Sequence, residues 1–492
     1  MTSILALDQG TTGSTALVIH QDGTILGRGY REFTQHFPEP GWVEHDADEI
    51  VRVTLEAAHE AIAAAGTTPT GIGITNQRET VVLWDRRSLA PVSRAIVWQD
   101  RRTADRCRQL KAAGHEPALQ ASTGLVLDPY FSATKIEWLL QNPELRRRAE
   151  QGELAFGTVE SWLIARLTGG RVHVTDHTNA SRTLLYDLAA RDWSESLLQL
   201  FGVPREVLPA IVPSAGTVGE TDPAHFGRAI PIAGIAGDQQ AALFGQGCVT
   251  PGLAKNTYGT GAFLLTHTGQ ERPASKNGLL LTAACGPRGE PAYALEGSVF
   301  IAGAAVQWLR DGIGIVTRAG ETEAMARSVT DTGGVYFVPA FVGLGSPHWE
   351  AEARGTIVGI TRGTSRAHLV RAALESMAYA SADLLSAMTS DAGLRLPQLR
   401  VDGGATSNDW LMQFQADVLG VPVERPDNVE TTALGAGGLA GIALGVWPSV
   451  EGFLASRRFR RFEPAMGTAE RERHWEGWRR AVGATLAWAR AR

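Results

Sequence analysis

Lysine is scarce in this chain. Of the 46 lysines and arginines in its 492 residues, only a handful are lysines. No lysine follows a glycine-rich turn in the Walker pattern, and the protein-kinase HRD and DFG motifs are absent, which excludes both of these nucleotide-binding classes. Any lysine that contacts a phosphate group must be one of the following: Lys111, Lys135, Lys255 and Lys276.

Paired cysteines, excess positive charge and long apolar runs are missing too. The cysteines Cys107, Cys248 and Cys285 are far apart, which excludes a disulfide framework and a zinc knuckle. A net charge of −6 argues against sequence-independent nucleic-acid binding. No apolar stretch reaches the ~20 residues of a membrane span, and no signal-peptide pattern is visible. We therefore expect a cytoplasmic globular protein.

The length and an internal repetition predict two domains. One hydrophobic core seldom organises 492 residues. A β-rich run, a Gly-Thr turn and a second β-rich run occur near Gly10 and again near Gly259, about half the chain apart. We predict two similar α/β domains, 1–247 and 248–492, each of which offers one hairpin turn to a shared cleft.

The first turn lies in ILALDQGTTGST, residues 4–15. An apolar strand ends in Asp8 and continues into glycine and hydroxyl residues, whose backbone N–H groups suit a phosphate. Because no lysine is present, Mg²⁺ would supply positive charge, with Asp8 orienting metal-bound water. Taken alone, two ordinary glycine-rich hairpins explain these turns equally well.

Two later segments favour the nucleotide interpretation. In RVDGGATSNDW, 400–410, a short apolar run ends in glycines that would let a flat ring approach the backbone. Asn408 would cap the following helix or bind the ligand. The segment TTALGAGGLAGIALG, 431–445, predicts a helix with small residues that permit close helix packing.

These pieces occur in the order seen in the actin/hexokinase/Hsp70 ATPase fold. Several further segments resemble the FGGY carbohydrate kinases, and within that family the members that phosphorylate glycerol: PGWVEHD, GITNQRET, AIVWQDRR, YFSATKIEWLL, VHVTDHTNASRT and GIAGDQQAALFGQ. The resemblance covers nearly the whole chain. It implies two ribonuclease-H-like (actin-like ATPase) α/β domains around a central catalytic cleft, ATP and Mg²⁺ as cofactors, and a homodimer or homotetramer.

The resemblance also implies a role for each matching residue. Asp238 would be the general base that takes the proton of the alcohol, although the residue alone fits a helix N-cap better. The polyol would be bound by Arg78, Glu79, Tyr130, Asp238 and Gln239, with Trp98 and Phe263 as apolar walls. The nucleotide would be bound by Thr11, Thr12, Gly13, Thr260, Gly303, Gln307, Gly404 and Asn408.

Two positions of the first turn depart from the family pattern. Thr15 stands where relatives have an arginine near the nucleotide phosphates, and Gly13 stands where they have a serine. Losing a charge-assisted contact would cost roughly 1.5–3 kcal/mol if nothing replaces it. We expect weaker ATP binding or slower turnover, with the reaction class unchanged.

A regulatory site is a further expectation. His225, in AHFG, loosely resembles a histidine that the phosphotransferase carrier protein phosphorylates in some relatives. The glycine-rich loop through which other relatives bind a sugar bisphosphate is not matched, so we expect no such inhibition.

Three other functions fit parts of the pattern. The nearest is another FGGY kinase that acts on xylulose, ribulose or a similar polyol. An actin- or Hsp70-like ATPase is a second, although no peptide-binding domain follows residue 450. A catalytically silent sensor is the third.

Overall fold

The computed structural model describes residues 2–491, which form two compact units. Unit 1 consists of the chain up to Val249 together with Leu281–Ala294 and Thr431–Ser456. Unit 2 consists of Thr250–Leu280, Leu295–Glu430 and the chain from Arg457. Each unit combines helices with a β-sheet, and the domain boundary between 247 and 248 stays a prediction.

Short strands make up the sheets. In chain order they are β1 Ser3–Gln9, β2 Gly13–His20, β3 Ile25–Glu32, β4 Gln35–His36, β5 Glu44–His45, β6 Gly71–Asn76, β7 Val82–Asp85, β8 Ala95–Ile96, β9 Leu154–Gly157, β10 Val174–Asp176, β11 Tyr186–Asp187, β12 Asp192–Trp193, β13 Ala210–Val212, β14 Ala215–Glu220, β15 Pro231–Gly237, β16 Ala254–Tyr258, β17 Ala262–Gly269, β18 Leu280–Cys285, β19 Pro291–Val299, β20 Tyr336–Val338, β21 Thr356–Val358, β22 Leu399–Asp402, β23 Val423–Pro426 and β24 Phe459–Phe462.

The helices vary widely in length. In chain order they are α1 Ala47–Ala65, α2 Ala104–Ala112, α3 Glu116–Thr123, α4 Ala133–Leu139, α5 Pro143–Glu150, α6 Val159–Leu167, α7 His177–Ala180, α8 Glu195–Phe201, α9 Pro223–Phe226, α10 Asp238–Gly245, α11 Gly303–Gln307, α12 Glu321–Arg327, α13 Arg366–Ala392, α14 Asp409–Leu419, α15 Thr431–Ala443, α16 Val450–Leu454 and α17 Thr468–Arg490. Two 3₁₀ turns, Arg205–Val207 and Gly404–Ser407, and one π-helical turn, Trp308–Gly312, complete the set.

The main sheet of unit 1 has the strand order β14-β15-β6-β1-β2-β3. Strands β15, β6 and β1 run parallel, while β1, β2 and β3 form antiparallel hairpins. Alternate residues of β1 enter two different cores. Leu5 and Leu7 pack in the cluster that includes α1 and α6, and Ile4 and Ala6 pack in the cluster that includes α15. Both faces of the sheet are therefore covered, as expected for a parallel arrangement.

Local sequence signals set the first elements. The Asp22-Gly23 turn joins β2 to β3, and Gly23 has φ 86°, which an L residue rarely adopts. Asp46 caps α1 by accepting the N–H groups of Asp48 and Glu49, and Gly66 ends that helix with φ 60°. Both ends of this helix are therefore set by residues typical of helix caps.

The small residues of α15 permit the close approach that the sequence predicts. A Cβ placed on Gly435 would lie 1.8 Å from the carbonyl oxygen of Ala241 in α10. A Cβ on Gly437 would lie 2.5 Å from Ile19 on β2. Only glycine fits at Gly435, because a methyl group would overlap a backbone oxygen, whereas at Gly437 the end of the Ile19 side chain would have to move.

In unit 2, strands β17, β16, β22, β23 and β24 are neighbours in one sheet. Strands β16 and β22 run parallel, with Thr257 opposite Asp402, and β17 pairs antiparallel with β16. The Gly-Thr-Gly turn predicted near Gly259 connects β16 to β17. It therefore lies at the same sheet edge as the glycine turn that follows β22.

Candidate active site

In unit 1, two loops and one helix begin at the same edge of the sheet. Strands β1, β6 and β15 are parallel and in register, with Gln9 opposite Asn76 and Asn76 opposite Gly237. The loops after β1 and β6 begin at Gly10 and Gln77, and α10 begins at Asp238 directly after β15. Ligands of open α/β sheets bind at such carboxyl ends, so the topology brings together residues that are far apart in sequence.

Asp238 is the first residue of α10, and Gly237 occupies the N-cap position. The Asp238 carboxylate accepts the N–H of Gln239 at 2.7 Å and lies 3.2 Å from Nε of Arg78. About 30% of its side chain is exposed, whereas that of Arg78 is 2% exposed. A carboxylate fixed from behind by a buried arginine and open to a ligand suits a general base. That role stays a prediction.

An adjacent arginine and glutamate ordinarily form a surface ion pair, but Arg78 and Glu79 are both buried. Arg78 donates hydrogen bonds to the Gln240 side chain at 3.2 Å and to the Tyr130 hydroxyl at 3.3 Å. Glu79 has φ 62°, in the left-handed region that costs free energy for a residue with a side chain. Such strained positions cluster at functional sites, where the surrounding structure holds them in place.

Arg182 is not among the predicted site residues, although the segment VHVTDHTNASRT that contains it resembles the family. The Arg182 Nε donates to Glu79 at 2.6 Å, and its guanidinium lies 5.6 Å from the Tyr130 ring centre. Its side chain is completely buried. It therefore positions two of the predicted polyol ligands. Its partner Glu79 is distant in sequence, so no local pattern signals the pair.

Lys135 is a second residue that the sequence analysis left without a role. It is completely buried, and its ammonium group donates to the backbone carbonyl of Tyr130 at 2.8 Å. Burial lowers the pKa of Lys135 to about 8. This lysine holds the turn that presents Tyr130 rather than contacting a phosphate.

An aromatic wall lies in unit 1 beside these polar groups. The rings of Trp98 and Tyr130 meet edge to face, with centroids 5.5 Å apart. The Trp98 indole N–H donates to the Thr11 hydroxyl at 3.0 Å. Trp98 is half-buried rather than part of the core. The structure therefore brings together all predicted polyol residues except Phe263, which lies on β17 in unit 2: Arg78, Glu79, Trp98, Tyr130, Asp238 and Gln239.

The first predicted phosphate turn joins β1 to β2. The Gly10 N–H donates to the Gly13 carbonyl at 2.9 Å, which closes the turn. Thr12 is exposed and Thr11 is half-buried. Thr15 is the partner of Asp8 across the hairpin.

The residues at this turn fit a magnesium ion that is bound mostly through water and phosphate. Asp8 is half-buried on β1 beside the hydroxyl residues, and a carboxylate is the hard oxygen donor that Mg²⁺ prefers. Across residues 2–491 no three His, Cys, Asp or Glu side chains cluster as metal ligands. Magnesium commonly keeps several waters and uses one or two carboxylates, so Asp8 alone satisfies the chemistry.

The second predicted phosphate turn is held by the start of α11. Both Ala302 and Ala304 donate their N–H to the Thr260 carbonyl, at 2.8 and 3.1 Å, and Gly303 donates to Gly259 at 3.0 Å. The Thr260 side chain is exposed. A Cβ on Gly261 would lie 2.4 Å from the Val299 carbonyl, so glycine is required there.

The predicted adenosine turn follows β22. Gly403 has φ 89°, and a Cβ there would lie 2.3 Å from the Tyr258 carbonyl of β16. A Cβ on Gly404 would meet nothing within 4 Å, so the backbone there is open to a flat ring. Asn408 caps α14 by accepting the Leu411 N–H at 2.9 Å.

Two other predicted positions lie elsewhere in unit 2. Gln307 is exposed at the end of α11, and Phe263 is half-buried on β17 opposite Thr257. Lys255 could, from the sequence alone, be a solvated strand end or a phosphate contact, and the structure excludes the solvated strand end. It is completely buried on β16 and donates to the Thr257 hydroxyl at 2.9 Å.

His225 lies on α9 in unit 1 and is half-buried. Its Nε2 is 3.2 Å from the Arg166 carbonyl, and its own carbonyl is 2.7 Å from Nε2 of His59. Phosphorylation at Nε2 would replace the first of these contacts. The regulatory role stays a prediction.

Comparison with known proteins identifies the family of the chain. The family model for the N-terminal domain of the FGGY family of carbohydrate kinases matches residues 3–245. The family model for the C-terminal domain matches residues 254–444. A glycerol kinase of Carboxydothermus hydrogenoformans is 56% identical over 491 residues, covering 99% of this chain and 98% of the relative. Glycerol kinase 2 of Thermotoga maritima is 54% identical over 493 residues, covering 99% of each.

Solved structures match the whole chain as well. The structure of Plasmodium falciparum glycerol kinase with ADP superposes with a TM-score of 0.93 at 37% identity, covering 99% of this chain and 98% of that one. A xylulose kinase from Lactobacillus acidophilus has a TM-score of 0.89 at 19% identity over 99% of both chains, which is evidence for the fold alone. The predicted two-domain α/β fold is confirmed.

The structure gives one further property of the chain. Of the helices within residues 2–491, none combines the length and apolar content needed to cross a bilayer.

Both domain models of the family match this chain, and curated relatives match it along nearly its full length. The chain therefore belongs to the FGGY family of carbohydrate kinases.

Proposed function

We propose that the chain catalyses ATP-dependent phosphorylation of glycerol to sn-glycerol 3-phosphate. The observation that carries this proposal is the group around Asp238, where a partly exposed carboxylate stands 3.2 Å from the buried Arg78. A small triol has three hydroxyls and little apolar surface, so it is recognised through converging hydrogen bonds from a fixed cage. Glycerol kinases more than half identical over nearly the full chain support this substrate.

In this proposal Asp238 takes the proton of the attacking hydroxyl. Arg78 orients the carboxylate and donates to the polyol, while Glu79 accepts from a second hydroxyl. Arg182 and Lys135 hold Glu79 and Tyr130 in place from behind. The remaining contacts come from Gln239 and from the apolar walls Trp98 and Phe263.

ATP is the phosphoryl donor in this proposal, since a glycerol kinase solved with ADP has the same fold. The exposed backbone at Gly404 would receive the adenine. The other nucleotide contacts are assigned to Thr11, Thr12, Gly13, Thr15, Thr260, Gly303, Gln307 and Asn408. Mg²⁺, bound near Asp8 through water, would neutralise the phosphate charge that the lysine-free turn leaves uncompensated.

The proposal includes three statements about the wider context. The chain works in the cytoplasm as a homodimer or homotetramer, with domains 1–247 and 248–492. The phosphotransferase carrier protein phosphorylates His225. Incubation with the phosphorylated carrier, followed by mass spectrometry, tests the last statement, and unmodified His225 would contradict it.

A substrate panel tests the proposed activity. ADP release is followed by a coupled assay with glycerol, xylulose, ribulose and gluconate at matched concentrations, with and without Mg²⁺. We expect the highest kcat/KM with glycerol and no turnover when Mg²⁺ is chelated. A preference for a pentulose would instead support another FGGY kinase, and ATP hydrolysis without any alcohol dependence would support an assembly ATPase.

A further inference from the structure

Tyr30 fills the space beside the first phosphate turn. A Cβ placed on Gly13 would lie 2.7 Å from the Tyr30 hydroxyl oxygen and 2.8 Å from a carbon of its ring. Because Gly13 has no side chain, the phenol reaches the turn itself. The carbonyl of Arg31 on the same strand would also lie 2.7 Å from that Cβ, so β3 approaches the turn closely here.

The register of the sheet places Tyr30 in one row with two predicted site residues. Tyr30 on β3 is directly opposite Thr15 on β2, and Thr15 is directly opposite Asp8 on β1. Directly opposed residues of antiparallel strands project from the same face of the sheet. The phenol therefore stands on the face that carries the Asp8 carboxylate.

Tyr30 can also make a contact that Thr15 cannot. Tyr30 is 37% exposed, so part of the residue is open to a ligand. A phenol hydroxyl is a hydrogen-bond donor at the end of a long, rigid side chain, whereas the threonine hydroxyl stays close to the backbone. A hydrogen-bond donor at this place would partly replace the phosphate contact of an arginine at position 15.

We propose that Tyr30 is a nucleotide-binding residue whose hydroxyl donates a hydrogen bond to a phosphate oxygen of ATP at the first turn. This inference rests on the proposed function, because it takes the turn of Gly10–Gly13 as a phosphate site. It adds a ligand from the third strand of the sheet. It also explains how a glycine at position 13 and a threonine at position 15 remain compatible with nucleotide binding.

The Tyr30→Phe variant tests the inference, because it removes the hydroxyl and keeps the ring against Gly13. We expect the Kd for ADP and for a non-hydrolysable ATP analogue, measured by calorimetry, to rise roughly tenfold, as for the loss of one hydrogen bond to a charged group. The KM for glycerol and the melting temperature should stay unchanged. An unchanged nucleotide Kd would overturn the inference.

Tyr293→Phe is the matched control, since it removes a tyrosine hydroxyl that is bonded to the Leu188 carbonyl at 2.7 Å in the same unit. It should leave the nucleotide Kd unchanged. An equal rise in both variants would show a general loss of stability and would also overturn the inference.

A double-mutant cycle adds a second measurement. If Tyr30 supplies what an arginine at position 15 would supply, the loss caused by Tyr30→Phe should be several-fold smaller in a Thr15→Arg background. If Tyr30→Phe weakens nucleotide binding equally with Thr15 and with Thr15→Arg, Tyr30 does not take the place of an arginine at position 15.

The substrate panel separates this inference from the proposed function. Wild-type turnover of glycerol with an unaffected Tyr30→Phe variant would remove the inference alone. Weakened nucleotide binding in Tyr30→Phe without glycerol turnover in wild type would remove the proposed substrate and keep Tyr30 as a nucleotide ligand.

Discussion

The Trp98 indole N–H donates a hydrogen bond to the Thr11 hydroxyl at 3.0 Å, while the same ring meets Tyr130 edge to face. The Thr11 carbonyl in turn accepts from the Gln35 side chain at 3.0 Å. One tryptophan thus belongs to the predicted polyol wall and supports the first predicted phosphate turn. A substitution of Trp98 should therefore weaken the binding of nucleotide as well as that of polyol.

Trp98→Phe tests this coupling. Phenylalanine keeps an aromatic wall and removes the donor to Thr11, and one neutral hydrogen bond is worth about 0.5–1.5 kcal/mol. We expect the KM for ATP to rise about twofold to tenfold and the KM for glycerol to change less. The control is Trp193→Phe, which removes an indole bond to the Pro209 carbonyl in the same unit and should change neither KM. A rise confined to glycerol would contradict the coupling.

Asp238→Asn removes the proposed base while keeping the size of the side chain. We expect kcat to fall by ~10²–10⁴-fold, the usual contribution of a general base. Glycerol affinity should change little, because the amide oxygen still accepts a hydrogen bond. Asp105→Asn, at an exposed ion pair with Arg108, is the matched control and should be fully active. Full activity of Asp238→Asn would instead support the catalytically silent sensor.

Elements whose signals lie among neighbours in sequence can be predicted. The Asp22-Gly23 hairpin, the caps of α1 and the predicted helix at Thr431–Ala443 each carry their signal within a few residues. The order of strands in the sheet depends on pairing between distant segments, which a single sequence does not reveal.

The site was predicted less completely, because its contacts join residues that are distant in sequence. Glu79 lies next to Arg78 in the chain, but its closest ionic partner is Arg182, which only the fold brings near. The burial of Lys255 was missed because a lysine on a short strand is ordinarily exposed. Asp8, Thr15 and Tyr30 lie side by side on three neighbouring strands. This placement depends on the strand register, which the sequence alone does not give.

Arg182→Met should destabilise the protein. The variant leaves the buried Glu79 carboxylate without its 2.6 Å partner, and removing one member of a buried ion pair costs about 3–5 kcal/mol. We expect the free energy of unfolding from denaturant titration to fall by that amount and the KM for glycerol to rise. Arg52→Met, which breaks an exposed pair with Glu56 on α1, should cost no more than about 1 kcal/mol. Equal losses in both variants would contradict the role of Arg182.

Thr15→Arg introduces the residue that the family resemblance implies at this position. An arginine beside the first turn would gain a charge-assisted contact with a phosphate, worth roughly 1.5–3 kcal/mol. We expect the KM for ATP to fall by about tenfold or more, with the KM for glycerol unchanged. Thr24→Arg, on the β2–β3 hairpin turn, adds the same charge elsewhere and serves as the control. If both variants behave like wild type, the departure at Thr15 has no kinetic consequence.

Glu160 should make stability depend on pH. It is completely buried and accepts hydrogen bonds from Thr158 at 2.6 Å and Thr175 at 2.7 Å. Burial raises the pKa of Glu160 from 4.5 to about 7, so the folded protein holds this proton more tightly than the unfolded chain. The stabilisation is complete below pH 4.5 and is lost as the pH rises through about 7.

The measurement compares wild type with Glu160→Gln by denaturant unfolding at several pH values from 5 to 8. Other groups titrate in both proteins, so the difference between the two curves isolates Glu160. We expect wild type to lose up to about 3 kcal/mol more than the variant across this range, since one pKa unit corresponds to about 1.4 kcal/mol. Glutamine at position 160 has no proton to lose in this pH range. If unfolding free energy depends on pH in the same way in both proteins, the folded wild type binds no extra proton at Glu160.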